Sequence, residues 1–163
     1  MKKELLILLG LLVASMLPAQ NGGSIMKKYE RVDSNLLFTY ESRFGVAETI
    51  ERIEQVLKTM DIPVFAKFNH AKNAEEVGLK LLPNQVIVFG SPKVGTALMQ
   101  QNPSISIELP LKISVWEDKN GNVWAAFPQM KQMAANYGMQ DNPVIGKMQE
   151  LLEKIVVEAA GQD

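Results

Sequence analysis

From Val46 to Met60 the apolar residues Val46, Ile50, Ile53, Leu57 and Met60 recur at steps of four and three, the spacing of one face of a helix. Gly45 serves as its N-cap, Glu48 suits the positive helix end, and Asp61-Ile62-Pro63 stops it. A second stripe, Val144, Met148, Leu151, Leu152, Ile155, Val156 and Ala159, starts behind Asn142-Pro143 and ends at Gly161, which predicts a long last helix. Between and before these stripes the period changes to two. Asn35 to Glu41, Val64 to Asn69, Gln85 to Phe89, Leu111 to Trp116 and Val123 to Phe127 all read as strands, with Gln85 to Phe89 well buried. Ile105, Ile107 and Leu109 alternate with Ser104, Ser106 and Glu108, which predicts one further half-buried strand. Residues 71–82 suggest a short helix or turn broken at Gly78, and Ser91-Pro92 opens another helix that runs to Asn102-Pro103. Runs of strands with two amphipathic helices define an α+β class: an antiparallel sheet with both main helices on one face.

The link between Trp116 and Trp124 sets which side chains share a face of that sheet. A two-residue Asn120-Gly121 loop would mix apolar and polar residues on both faces. A three-residue loop, Lys119 to Gly121, takes a type I turn with Gly121 left-handed and pairs Asp118 with Asn122 and Trp116 with Trp124. Ile113, Val115, Ala125 and Phe127 then face the helices together, and Trp116, Trp124, Lys112 and Ser114 face away. The second register is preferred because it segregates the apolar set. Its consequence is two indoles side by side on the helix-free face, either as simple cross-strand support or as an aromatic patch for a partner or ligand.

Composition narrows the chemistry. The chain has 163 residues with 17 basic and 18 acidic side chains, one His and no Cys. It is long enough to bury one core, and its charge balance does not suit a partner held through nucleic-acid phosphates. No disulfide, thiolate nucleophile or multi-His zinc site can be built from it. No metal and no cofactor is expected. Lys2 and Lys3 precede an apolar run from Leu5 to Leu17, too short for a membrane span but of the length of a secretory signal, with cleavage expected after Ala19. Residues 1–19 are therefore read as a signal peptide, 20–34 as a flexible spacer and 35–163 as a single α+β domain, periplasmic or secreted, with no stable membrane span after cleavage. Removing Lys2, Lys3 and Glu4 leaves 15 basic and 17 acidic residues, a net charge of −2. Met26-Lys27-Lys28 is an alternative internal start.

Few residues offer chemistry. Gly90-Ser91-Pro92-Lys93-Val94-Gly95-Thr96 has the glycines of a phosphate loop but lacks the Lys that must precede the Ser or Thr, so the motif fails. Ser91 and Lys93 at a helix start remain candidates for holding a small anion. His70, the sole imidazole, follows a strand; as an acid or base it needs an orienting acceptor that no spacing supplies. Glu117 and Asp118 read as solvated turn residues, and Met130, Met133, Met139 and Met148 as core filler.

With these residues in view, the chain resembles the family catalogued as domain of unknown function 302. The likeness is carried by Phe44 to Leu57, Phe65 with His70-Ala71 and Gly78-Leu79, Phe89 to Lys93, Gly95 to Gln100, and Leu109 to Asp118 with Gly121 and Trp124, over roughly residues 38 to 160. Ser91 stands where the family usually has Asn, and Phe127 where an aromatic hydroxyl is common. The resemblance implies a TATA-binding-protein-like α+β fold and homodimers, places His70 and Ser91-Pro92-Lys93 in a shared pattern, and implies no established activity. Two readings follow. The first is a non-enzymatic binding module, homodimeric, whose Trp116 and Trp124 face meets its twin or lines an apolar pocket. The second is an enzyme acting on a small anion with His70 near Ser91 and Lys93.

Overall fold

The computed structural model describes residues 36–162, so the expected signal peptide, spacer and internal start lie outside the described residues. Five strands, β1 (Leu37–Ser42), β2 (Val64–Asn69), β3 (Asn84–Phe89), β4 (Leu111–Glu117) and β5 (Val123–Pro128), form one antiparallel sheet in the order β1-β5-β4-β3-β2. Two long helices, α1 (Val46–Thr59) and α5 (Pro143–Ala159), pack on each other and on the sheet from one side. The chain is thus α+β, as its periodicity predicts.

The two faces of the sheet differ as strand alternation requires. Ile87, Phe89, Ile113, Val115, Ala125 and Phe127 point toward the helices and are fully or almost fully buried. They meet Val46, Ile50, Ile53 and Leu57 of α1 and Met148, Leu152, Ile155 and Val156 of α5. Burying a large apolar side chain contributes roughly 1.5–3 kcal/mol, which explains why two stripes at helical spacing lock onto one sheet face. At the head of α1 the buried hydroxyl of Thr49 lies 2.7 Å from Ser42 Oγ and donates to the Gly45 carbonyl at 2.9 Å, so no lone polar atom is left in the core there. Asn142 caps α5 as expected: its side-chain oxygen accepts from the Val144 N–H at 2.9 Å.

The expected strand at Ile105–Leu109 is absent; Pro103–Glu108 is a 3-10 helix. Asn102 decides this, because its Oδ1 accepts from both the backbone N–H and the hydroxyl of Ser104, and Pro103 has no N–H to give to a ladder. Ile105 is buried and Leu109 packs against the core, but Ile107 between them is 74% exposed, so the alternation in sequence does not correspond to one inward face. The segment from Ser91 forms α3 (Pro92–Met99), and His70–Glu76 forms α2, ending before Gly78, which turns the chain at φ 76°. A six-residue helix, α4 (Met130–Ala135), was not expected from the sequence; it brings Met130 and Ala134 into the core.

Candidate functional site

The hairpin β4–β5 takes the three-residue loop. The Asp118 N–H donates to the Asn122 carbonyl at 2.8 Å, the Gly121 N–H to the Asp118 carbonyl at 3.1 Å, and Gly121 has φ 83°. Trp116 and Trp124 are direct cross-strand partners. Both indoles are half-buried on the helix-free side and neither belongs to the buried core or packs against it. The register sets them in a row with Glu41 and Asn84 on the flanking strands, beside a row formed by Ala126, Ser114, Val86 and Phe68.

Asp118 does more than the solvated turn residue expected of it. Its Oδ1 accepts from the backbone N–H groups of Asn120 and Asn122 at 2.8 and 3.0 Å. Its Oδ2 accepts from the Trp124 Nε1–H at 2.9 Å and the Asn122 side-chain amide at 3.2 Å. The Trp124 bond foremost holds the carboxyl below its ordinary 3.8; burial opposes it, and the three amide donors from Asn122 and Asn120 add to the lowering. A depressed folded-state pKa adds stability that is complete above the unfolded value and is lost as the pH falls through the lower folded one. Urea unfolding followed from pH 6 to pH 2 should therefore show a stability deficit for Asp118→Asn that shrinks below about pH 4; a deficit independent of pH contradicts this role.

A cavity of about 580 Å³ opens on the helix side of the sheet, between α5 and the segment from Gly90 to Met99. Phe89 and Leu111 form its sheet side, and Val144, Met148 and Leu151 line it from α5. Gly95 and Met99 of α3, Leu109 and Pro110 ahead of β4, Ile62 just before β2 and Phe65 near its start also belong to the apolar wall. Gly95 matters for its size: a Cβ there would sit 3.7 Å from Leu109 Cδ1 and 3.9 Å from Met99 Cε, in ordinary contact, so larger side chains would grow into the space. Polar groups are few. Ser91, Thr96 and Ser106 contribute hydroxyls, and Lys147 is the single charged residue of the lining.

The sequence candidates divide. Ser91 lines the cavity and caps α3, though its side chain makes no capping bond. Lys93 is exposed on α3 outside the lining, and Trp116 and Trp124 lie on the opposite face of the sheet. His70 is exposed at the start of α2. Because Val64 pairs with Phe89 and Asn69 with Gln85, His70 and Ser91 stand beyond opposite ends of the β2–β3 ladder. At about 3.3 Å per residue that ladder alone separates them by roughly 16 Å. The structure does not bring His70 together with Ser91 and Lys93. Among the described residues no cluster of His, Asp and Glu could hold a metal ion.

The cavity was missed in sequence because its walls look like core. Val144 and Leu151 belong to the predicted stripe of the last helix, yet they are only half-buried, since they face open space where the deeper residues of that stripe face the sheet. A stripe wider than the sheet can cover, opposite a helix carrying Gly95, was the available signal.

An antiparallel α+β sheet with two long helices on one face and an apolar cavity at the end of the second helix defines the class. Residues 38–155 match the model of the family described as "Domain of unknown function DUF302", and the chain belongs to that family. The crystal structure of an uncharacterized conserved DUF302 protein from Bacillus stearothermophilus superposes with a TM-score of 0.62 at 23% identity, covering 78% of this chain and 98% of that one. That likeness speaks for the fold. Among curated proteins, fluoride-specific ion channel FluC 1 of Brucella suis and FluC 2 of Brucella melitensis are each 46% identical over 93 residues, 57% of this chain. The match spans 36% and 34% of their lengths, about a third of each.

Proposed function

We propose that this chain is a non-catalytic binding module of the periplasm or extracellular space that holds a small apolar ligand in the cavity between α3 and α5. The observation that carries the reading is that cavity. Its volume of about 580 Å³ falls within the range of about 300–1,000 Å³ typical of small-molecule sites, and its lining is apolar with a few polar groups at hand. An enzyme built on His70 with Ser91 and Lys93 gains no support, because those residues lie at opposite ends of a strand pair. The name of the Brucella channels describes proteins about three times as long as the matching stretch, and nothing in the reading rests on it.

Calorimetric titration with 1-decanol tests the reading. Wild type should bind saturably with one site, and Gly95→Leu should lose that binding while retaining its unfolding midpoint, since Leu is the better helix former. Heat without saturation, or unchanged binding by Gly95→Leu, overturns it.

A second element of the proposal is self-association through the helix-free face. The paired indoles favour it: Trp124 is held by Asp118, and both stand apart from the core of their own subunit. Buried aromatics dominate interfaces of this kind, so Trp116→Ala should weaken a dimer by about 30-fold or more. Sedimentation or light scattering over a concentration series measures this; a wild type that stays monomeric at high micromolar concentration removes the dimer. For the address, the mass of the chain recovered from an exporting host should correspond to residues 20–163, and the full-length mass in that compartment would contradict cleavage.

A further inference from the structure

We infer, resting on the reading of the cavity as a ligand site, that its occupant is a single-chain amphiphile with an anionic head, and that Lys147 supplies the counter-charge. Val144, Lys147, Met148 and Leu151 are spaced i, i+3, i+4 and i+7, so they share one face of α5, and all four line the cavity. Lys147 is exposed, yet it borders the apolar wall residues at the rim of the cavity. Its four-carbon stem can lie along that wall while the ammonium stays at the wet mouth. No Asp or Glu is part of the lining, so nothing within the site neutralises that charge. The ion pair recorded among the described residues, Lys67 with Glu54 at 2.6 Å, involves neither Lys147 nor the cavity.

The rest of the lining fits the same chemistry. Phe65, Met99, Leu109 and Leu151 offer accessible apolar surface for a hydrocarbon chain, and methionine adapts to chains of different shape. The hydroxyls of Ser91, Thr96 and Ser106 can donate to carboxylate oxygens, whereas a cationic head would meet like charge at Lys147. A carboxylate carried by an alkyl chain satisfies both parts of the site. Neutral alcohols satisfy only the apolar part.

Titrating the full chain with octanoate, decanoate, 1-decanol and decyltrimethylammonium, all below their aggregation limits, tests this. Two added methylenes should tighten carboxylate binding by on the order of tenfold, as burial in an apolar wall demands. Decanoate should bind about fivefold better than 1-decanol at low ionic strength, with the preference fading at high salt and the ammonium weakest. Lys147→Gln should bind decanoate and 1-decanol equally and keep the wild-type affinity for the alcohol. Equal binding of decanoate and 1-decanol by wild type, or a preference that survives Lys147→Gln, overturns the anionic assignment and leaves the cavity reading standing. Failure of every probe to bind, or binding that Gly95→Leu does not disturb, overturns the cavity reading and this inference with it.

Discussion

Phe127→Ala will lower the free energy of unfolding by about 3–5 kcal/mol, and the thermal midpoint by roughly 10–20 °C. Phe127 is 1% exposed on the helix side of β5, stacked on Tyr40 with ring centroids 6.0 Å apart and tilted against Phe38 at 5.8 Å. Truncation removes the largest side chain of β5's inner face and leaves a hole that two packed helices cannot close. Phe68→Ala supplies the contrast. Phe68 is just as large, but it lies 48% exposed on the helix-free face, paired to Val86, and its loss should cost less than about 1 kcal/mol. Urea or thermal unfolding of both variants reads the difference directly. Equal losses would contradict a sheet covered on one side only.

Gly161→Ala is expected to be the second costly change, at about 2–4 kcal/mol. Gly161 closes α5 at φ 71°, a left-handed conformation that costs an L-residue roughly 1–2 kcal/mol. Space forbids the methyl as well: a Cβ would sit 2.8 Å from Phe44 Cε2 and 3.1 Å from Cζ. The ring cannot retreat freely, since the Arg52 guanidinium covers it 4.0 Å from the centroid while Arg52 Nε–H donates to the Ala159 carbonyl at 2.8 Å. Gly121→Ala separates the two causes. Gly121 has φ 83° with no atom near its would-be Cβ, so it carries the backbone cost alone and should lose only about 1–2 kcal/mol. Indistinguishable losses at the two positions would show that the contact with Phe44 carries no weight.

The parts of the fold written in sequence are those where period and turn chemistry agree. Gly121 at the left-handed position of a three-residue loop fixes the hairpin, and with it the cross-strand pairing of Trp116 with Trp124. Asn142 and Pro143 begin the last helix and Gly161 ends it for equally local reasons. Ile105 and Ile107 misled because their spacing equals that of a strand, while the side chain of Asn102 commits the backbone to a turn. Residues 130–135 make too few turns for a periodic signal, so their apolar positions read as filler.

The site was less legible, for a physical reason. A cavity is what three segments leave unfilled, and no pattern along one segment records it. Ser91 was found through its helix start; Lys147 was not, because a lysine at helical spacing reads as a solvated residue until its neighbours on that face are known. His70 drew notice as the single imidazole. The antiparallel pairing of Val64–Asn69 with Asn84–Phe89 already sets the residues after each strand at opposite ends.

The central claim is that the space between α3 and α5 accepts a ligand, and methyl-labelled methionine spectra test it most directly. Met99 and Met148 line the cavity; Met130 and Met139 are buried outside it. Adding decanoate to wild type should shift the Met99 and Met148 methyl signals saturably and leave those of Met130 and Met139 in place, and Gly95→Leu should abolish the response. Shifts spread over all four methionines, or none at Met99 and Met148 at saturating probe, would contradict the account.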